Sequence, residues 1–178
     1  MRALVVFESM FGNTWTIAKA IADGLSTALD VELREVGAAP STIGEEVDLL
    51  VVGGPTHAHG MSKPDSRANA ARQAGERLVS RGAGIREWLE TLRGGSKKVA
   101  AATFDTRIKG PELLWGSAAK GAEKELRRLG FRVVVSPASF LVGGPTGPAF
   151  DRVVEGEVDR ARGWGAMLGA KVAAQQRR

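Results

Sequence analysis

Leu4-Val5-Val6-Phe7-Glu8-Ser9-Met10-Phe11-Gly12-Asn13-Thr14-Trp15-Thr16-Ile17-Ala18 begins as a short apolar run, breaks at hydroxyl and glycine residues, and resumes with helical spacing. A strand that ends in Ser-x-x-Gly-Asn-Thr and turns straight into a helix leaves several backbone N–H groups without intrahelical partners. Ser9 and Thr14 bring hydroxyls to the same space, and Gly12 admits close backbone approach. The combination reads as a phosphate cradle at a helix N-terminus. It matches neither the dinucleotide GxGxxG nor the GxxxxGK(S/T) of nucleoside triphosphatases, so the phosphate is expected to belong to another ligand.

Outward from this loop, strands and helices alternate. Ile17, Ala18, Ile21, Ala22 and Leu25 fall at helical spacing. Val31, Leu33 and Val36, interrupted by charged residues, predict a short edge strand. Asp48 to Val52 closes in Gly53-Gly54-Pro55 and reads as a buried parallel strand. Residues 60–83 are polar and arginine-rich, and predict a loop or exposed helix. Ile85, Trp88, Leu89 and Leu92 predict an amphipathic helix stopped by Gly94-Gly95, and Val99 to Phe104 a further buried strand. Ala118, Ala122, Leu126 and Leu129 predict the next helix. Val133-Val134-Val135, continued after a proline break by Phe140-Leu141-Val142, gives the fifth strand. Val154 to Leu168 lies on a long last helix. The echo of Gly53-Gly54-Pro55-Thr56 in Gly143-Gly144-Pro145-Thr146 reads as two turns after apolar strands, not as a repeat.

This alternation implies an α/β fold: a doubly wound five-stranded parallel sheet, order 2-1-3-4-5, with helices on both faces. In that order a ligand crevice opens at the carboxyl ends of strands 1 and 3. The Ser9–Thr14 and Gly53–Gly60 loops both empty into it. One domain spans 1–174, and 175–178 is expected to fray.

Composition narrows the options. A chain of 178 residues with 43% hydrophobic and 25% charged residues is long enough for one ordinary globular core. Without cysteine there is no disulfide framework, thiol nucleophile or thiolate metal site. No secretory leader or membrane span is read, because Glu8 interrupts the first apolar run and prolines interrupt the longest uncharged one; the protein is expected to be cytoplasmic. Residues 1–50 carry 3 basic and 8 acidic side chains, whereas 51–98 carry 9 basic against 4 acidic. A basic middle favours an acidic partner or anionic ligand. No nucleic-acid motif accompanies the arginines.

The pattern Phe7-x-Ser9-x-x-Gly12-x-Thr14-x-x-x-Ala18-x-x-Ile21 resembles the flavodoxin signature, and the resemblance extends over essentially the whole chain. Thr103-Phe104-Asp105-Thr106 is similar to the family's second flavin-flanking loop, and Phe140 to Trp164 to its last strand and terminal helix. The resemblance implies FMN as cofactor, with Ser9, Met10, Phe11, Gly12, Asn13 and Thr14 on its phosphate. It implies that Pro55, Thr56, His57, Ala58, His59 and Gly60 lie along one face of the ring system. Phe104, Asp105, Thr106 and Arg107 would border the pyrimidine edge. Two departures stand out: the chain has no tyrosine, leaving Trp115, Phe104, His57 or an open face as the stacking partner, and it is basic where electron-carrying flavodoxins are acidic. Arg107, Lys109 or a protonated histidine near the ring would raise the potential of the reduced flavin.

The resemblance implies an electron carrier exchanging single electrons with redox partner proteins. The alternatives are an FMN-dependent NAD(P)H:quinone-type reductase acting on a small-molecule acceptor, and a non-catalytic flavin-binding module. His57-Ala58-His59 lacks further ligands for a metal site. The missing GxSxG opposes a serine hydrolase, and the missing acidic cluster opposes a receiver domain. Oligomeric state stays open.

Overall fold

The computed structural model describes residues 1–57, 59–93, 98–108, 116–143 and 152–176. Its elements alternate as the sequence implies. β1 (Arg2–Phe7) leads into α1 (Asn13–Leu25), followed by β2 (Asp30–Glu35) and β3 (Leu49–His57). β3 turns back through β4 (Gly60–Met61), and α2 (Pro64–Ala74) and α3 (Ile85–Thr91) follow. Then come β5 (Ala100–Ile108), α4 (Ala118–Arg128), β6 (Arg132–Val133), β7 (Ala138–Val142) and α5 (Glu157–Gln176).

The parallel strands run in the order β2-β1-β3-β5-β6, with β7 also paired to β5. β6 pairs with Ala100 and Ala101 at one end of β5, and β7 with Phe104 to Ile108 at the other. They are two halves of one fifth strand, parted around Pro137, so the order is the expected 2-1-3-4-5. The antiparallel β4 is an addition, hairpin-paired to Thr56 and His57.

Both sheet faces are covered, which is why the strands read as unbroken apolar runs. Alternation sends Val5, Phe7, Leu49, Val51 and Phe104 toward α1 and α5, where Ile17, Ile21, Leu25 and Leu168 meet them. Leu4, Val6, Leu50 and Val52 face the other way, onto Ile85, Leu89 and Leu92 near α3 and Leu126 of α4. Each such fully buried aliphatic side chain contributes about 1.5–3 kcal/mol. α1 and α5 approach closely: a Cβ on Gly24 would sit inside the van der Waals shell of the Arg162 carbonyl oxygen, and one on Gly165 inside that of Ile21.

α5 continues through Gln176, past the point where the sequence reading begins a frayed tail. Arg132 donates to Gln175 Oε1 at 2.8 Å and ties that turn to β6. Among the described residues no helix is long and apolar enough to cross a membrane.

Candidate functional site

A cleft opens at the carboxyl ends of the central strands, where a doubly wound sheet binds its ligands. The β1–α1 loop contributes Ser9, Met10, Phe11, Asn13 and Thr14, β3 contributes Pro55, Thr56 and His57, β5 contributes Thr106, Arg107 and Ile108, and β7 contributes Val142.

The loop is held from behind. The Ser9 amide donates to Ser80 Oγ at 2.9 Å, and the Ser80 and Val79 amides donate to the Ser9 and Met10 carbonyls. Ser80 Oγ in turn donates to Glu35 Oε1 at 2.6 Å. Ser9 Oγ accepts from the Gly12 and Trp15 amides at 3.1 and 3.3 Å, which stabilises the turn into α1. Gly12 has φ +91°, a left-handed conformation that a side chain would strain. The Thr14 amide, in the first turn of α1, has no hydrogen-bond partner among the described residues, as expected for a helix N-terminus.

Thr14 Oγ1 and Thr106 Oγ1 lie 2.8 Å apart and are buried. One hydroxyl hydrogen satisfies this pair, and the other is left to donate. No cation belongs to the loop itself, so an anion here would be held by amides, hydroxyls and the helix dipole. These donors fit a phosphate monoester.

The cleft's side walls are strand where the sequence reading has loop. β3 continues through Pro55 to His57, and β5 through Arg107 to Ile108, in register with Pro55 opposite Thr106. β1 pairs with β3 only as far as Gly53. Beyond that point β3 has lost its β1 neighbour, and a proline there removes no ladder bond on the open side.

This extension places two of the expected site residues away from the cleft lining. Phe104 is fully buried, edge-on to Phe140 with ring centroids 6.3 Å apart, and belongs to the core rather than the cleft. Alternation sends Asp105 to the opposite face, also fully buried. Asp105 Oδ2 accepts from Ser117 Oγ at 2.6 Å, the Ala119 amide at 3.0 Å and Thr56 Oγ1 at 3.1 Å. It fixes the N-terminus of α4 and the β3 wall, and does not border the cleft. Gly12, His59 and Gly60 are not cleft-lining either. His59 is exposed, at φ +79°, and bridges Gly116, while Gly60 pairs with His57 in the hairpin. Ala58, Trp115, Lys109 and the Gly144–Thr146 echo lie outside the described residues.

Of the proposed stacking partners, His57 lines the cleft and Phe104 does not. Phe11, read from sequence only as a phosphate-loop residue, supplies a second aromatic side chain there. Ile108 and Val142 are cleft residues that sequence reasoning missed. Continuing β5 by strand alternation past Asp105 would have found Ile108.

Burial, reinforced by nearby Arg67, holds the His57 imidazole below its ordinary pKa of 6.5. It is therefore neutral at pH 7, and Arg107 is the cation among the cleft-lining residues. Glu8, one residue before the loop, is 1% exposed, with Oε2 accepting from the Ile85 amide at 2.9 Å. Burial raises its pKa above the ordinary 4.5, against opposing hydrogen bonds from Ser62 and Ile85 and the charge of Arg67. Among the described residues no three His, Cys, Asp or Glu side chains converge as a metal site.

Known proteins repeat this architecture. A flavodoxin from the domain Archaea superimposes with a TM-score of 0.62 at 19% identity, covering 97% of this chain and 99% of its own. Oxidised Flavodoxin 2 from Bacillus cereus gives 0.65 at 20% identity, covering 96% and 99%. The flavodiiron protein from Giardia intestinalis gives 0.58 at 20% identity, with 97% of this chain matching 36% of that one. No curated protein matches the chain by sequence. The family model described as Flavodoxin matches residues 5–168, which hold the β1–α1 loop and both cleft walls. The chain belongs to the flavodoxin family.

Proposed function

We propose that this protein binds FMN in the cleft and carries single electrons between redox partner proteins. The observation that carries the reading is the β1–α1 loop. It combines the left-handed Gly12, the open Thr14 amide and the Thr14–Thr106 hydroxyl pair at a helix N-terminus, with no cation in the loop. Such a site suits the phosphate of a mononucleotide, and the walls of β3 and β5 flank it.

Bound FMN supplies a ring system that accepts electrons one at a time or in pairs. The chain's own residues hold and tune it. Ser9 and Thr14 position the phosphate end, Pro55 to His57 lie along one wall, and Thr106 to Ile108 along the other. Phe11 and His57 offer aromatic faces in place of tyrosine. Arg107 favours negative charge on the reduced ring, while neutral His57 adds none.

The test is a reductive titration of the FMN-loaded protein followed by visible spectroscopy. Two separated one-electron steps support the carrier. Steady NAD(P)H oxidation with a quinone acceptor assigns it to the reductases instead. Bound FMN with neither behaviour makes it a flavin-binding module.

A further inference from the structure

Arginines on different helices of this protein are neutralised in different ways. On α4 and α5 they pair with carboxylates three or four residues away. Arg127 meets Glu123 at 2.8 Å, Arg128 meets Glu125 at 2.7 Å, and Arg162 meets Asp159 at 2.6 Å. Residues 60–93 carry seven cations against four carboxylates. Arg67 there meets Glu87 at 3.1 Å. Lys63, Arg72, Arg81 and Arg86, however, have no carboxylate within ion-pair distance among the described residues. Arg86 spends its donors on the Met61 and Ser62 carbonyls and Arg72 on Asn69, so their charges stand uncompensated. Lys63, Arg72 and Arg81 are exposed.

This stretch adjoins the cleft on two sides. Ser66, in the first turn of α2, lies 3.3 Å from His57 Nδ1. Val79 and Ser80 are hydrogen-bonded to the backs of Met10 and Ser9. Between α2 and residues 78–82 runs an open groove lined by Pro64, Ala68, Ala71 and Leu78 together with Arg67 and Arg81.

We propose that the α2–α3 face is the docking surface for an acidic redox protein, held by Lys63, Arg72, Arg81 and Arg86, with Arg81 on the wall of the groove. The proposal rests on the electron-carrier reading above and names the chemistry of the partner. A dinucleotide is the poorer occupant. Its phosphates need several donors converging on one point, whereas these cations are spread over separate elements. Carboxylates dispersed over a protein surface match that spread. They would steer encounter through long-range attraction and leave the groove for close contact.

The experiment measures binding, by fluorescence anisotropy, of a dye-labelled acidic plant-type ferredoxin, used as probe, to the full chain with FMN added. Affinity is expected to fall at least about tenfold between low and physiological salt. Lys63→Glu/Arg81→Glu weakens low-salt binding at least about tenfold, while Lys124→Glu/Lys171→Glu, an equal charge change on exposed α4 and α5 positions, leaves it within about twofold. Equal weakening by both double variants, or no binding at low salt, overturns the proposal. So does NADPH binding that is lost only in Lys63→Glu/Arg81→Glu, because it gives the face to a dinucleotide. Flavin content is read separately from visible absorbance. A colourless protein that still binds the probe through this face sinks the FMN reading alone, and a yellow one that ignores the probe sinks the docking face alone.

Discussion

Replacing Thr14 by valine keeps the shape of the side chain and deletes one of two buried hydroxyls that lie 2.8 Å apart. Two effects separate. Without ligand, Thr106 Oγ1 loses its partner, and a buried polar group left unpaired costs about 1–3 kcal/mol of stability. With ligand, the hydroxyl pair loses the hydrogen that would reach the phosphate. A hydrogen bond to a charged group is worth about 1.5–3 kcal/mol, which corresponds to roughly 10- to 150-fold in Kd. The assay is quenching of flavin fluorescence as FMN is titrated with apoprotein, with riboflavin in parallel. Riboflavin has the same ring without the phosphate, so Thr14→Val should weaken FMN and spare riboflavin. Thr14→Val/Thr106→Val removes the orphaned hydroxyl and should recover part of the stability without recovering FMN affinity. Unchanged FMN affinity, or equal weakening of both flavins, would refute a phosphate at this loop.

Further predictions probe the walls and the core. Arg107→Gln removes the cleft cation and should move the second reduction step of bound FMN to a more negative potential; an unchanged or higher potential in a spectroelectrochemical titration would contradict its placement beside the ring. Gly24→Ala drives a methyl group into the Arg162 carbonyl across the α1–α5 contact. It should cost at least about 1–3 kcal/mol in urea unfolding, and a neutral effect would show that the helices separate freely. The raised pKa of Glu8 makes the folded protein hold that proton more tightly than the unfolded chain. Its contribution is therefore present below pH 4.5 and lost as pH rises through the folded-state value. Glu8→Gln cannot ionise, so its stability should fall less than the parent's over that rise. Parallel urea-midpoint profiles for the two proteins would assign the pH dependence elsewhere.

The loop and the sheet order were legible because they are local. An apolar run ending in Ser-x-x-Gly-Asn-Thr marks the loop, and regular alternation of strands and helices fixes the winding. The wall residues were less legible because tertiary context overrides turn chemistry. Gly53-Gly54-Pro55 has the composition of a turn, yet β3 continues through it beside β5. Stopping β5 at Phe104 hid the alternation that buries Phe104 on one face and Asp105 on the other. The capping role of Asp105 spans twelve residues to Ser117, and the brace from Ser80 to Ser9 spans seventy-one. Contacts of that separation leave no local pattern. Net charge was visible, but whether each arginine meets a carboxylate depends on which residues share a helix face.

The central claim is most directly tested by purifying the protein, recording its visible spectrum and identifying the flavin released on denaturation, with FMN and riboflavin titrated into the apoprotein. The account predicts a yellow protein that releases FMN, one per chain, and an apoprotein that prefers FMN over riboflavin. An apoprotein that binds no flavin, or binds riboflavin as tightly as FMN, would contradict it.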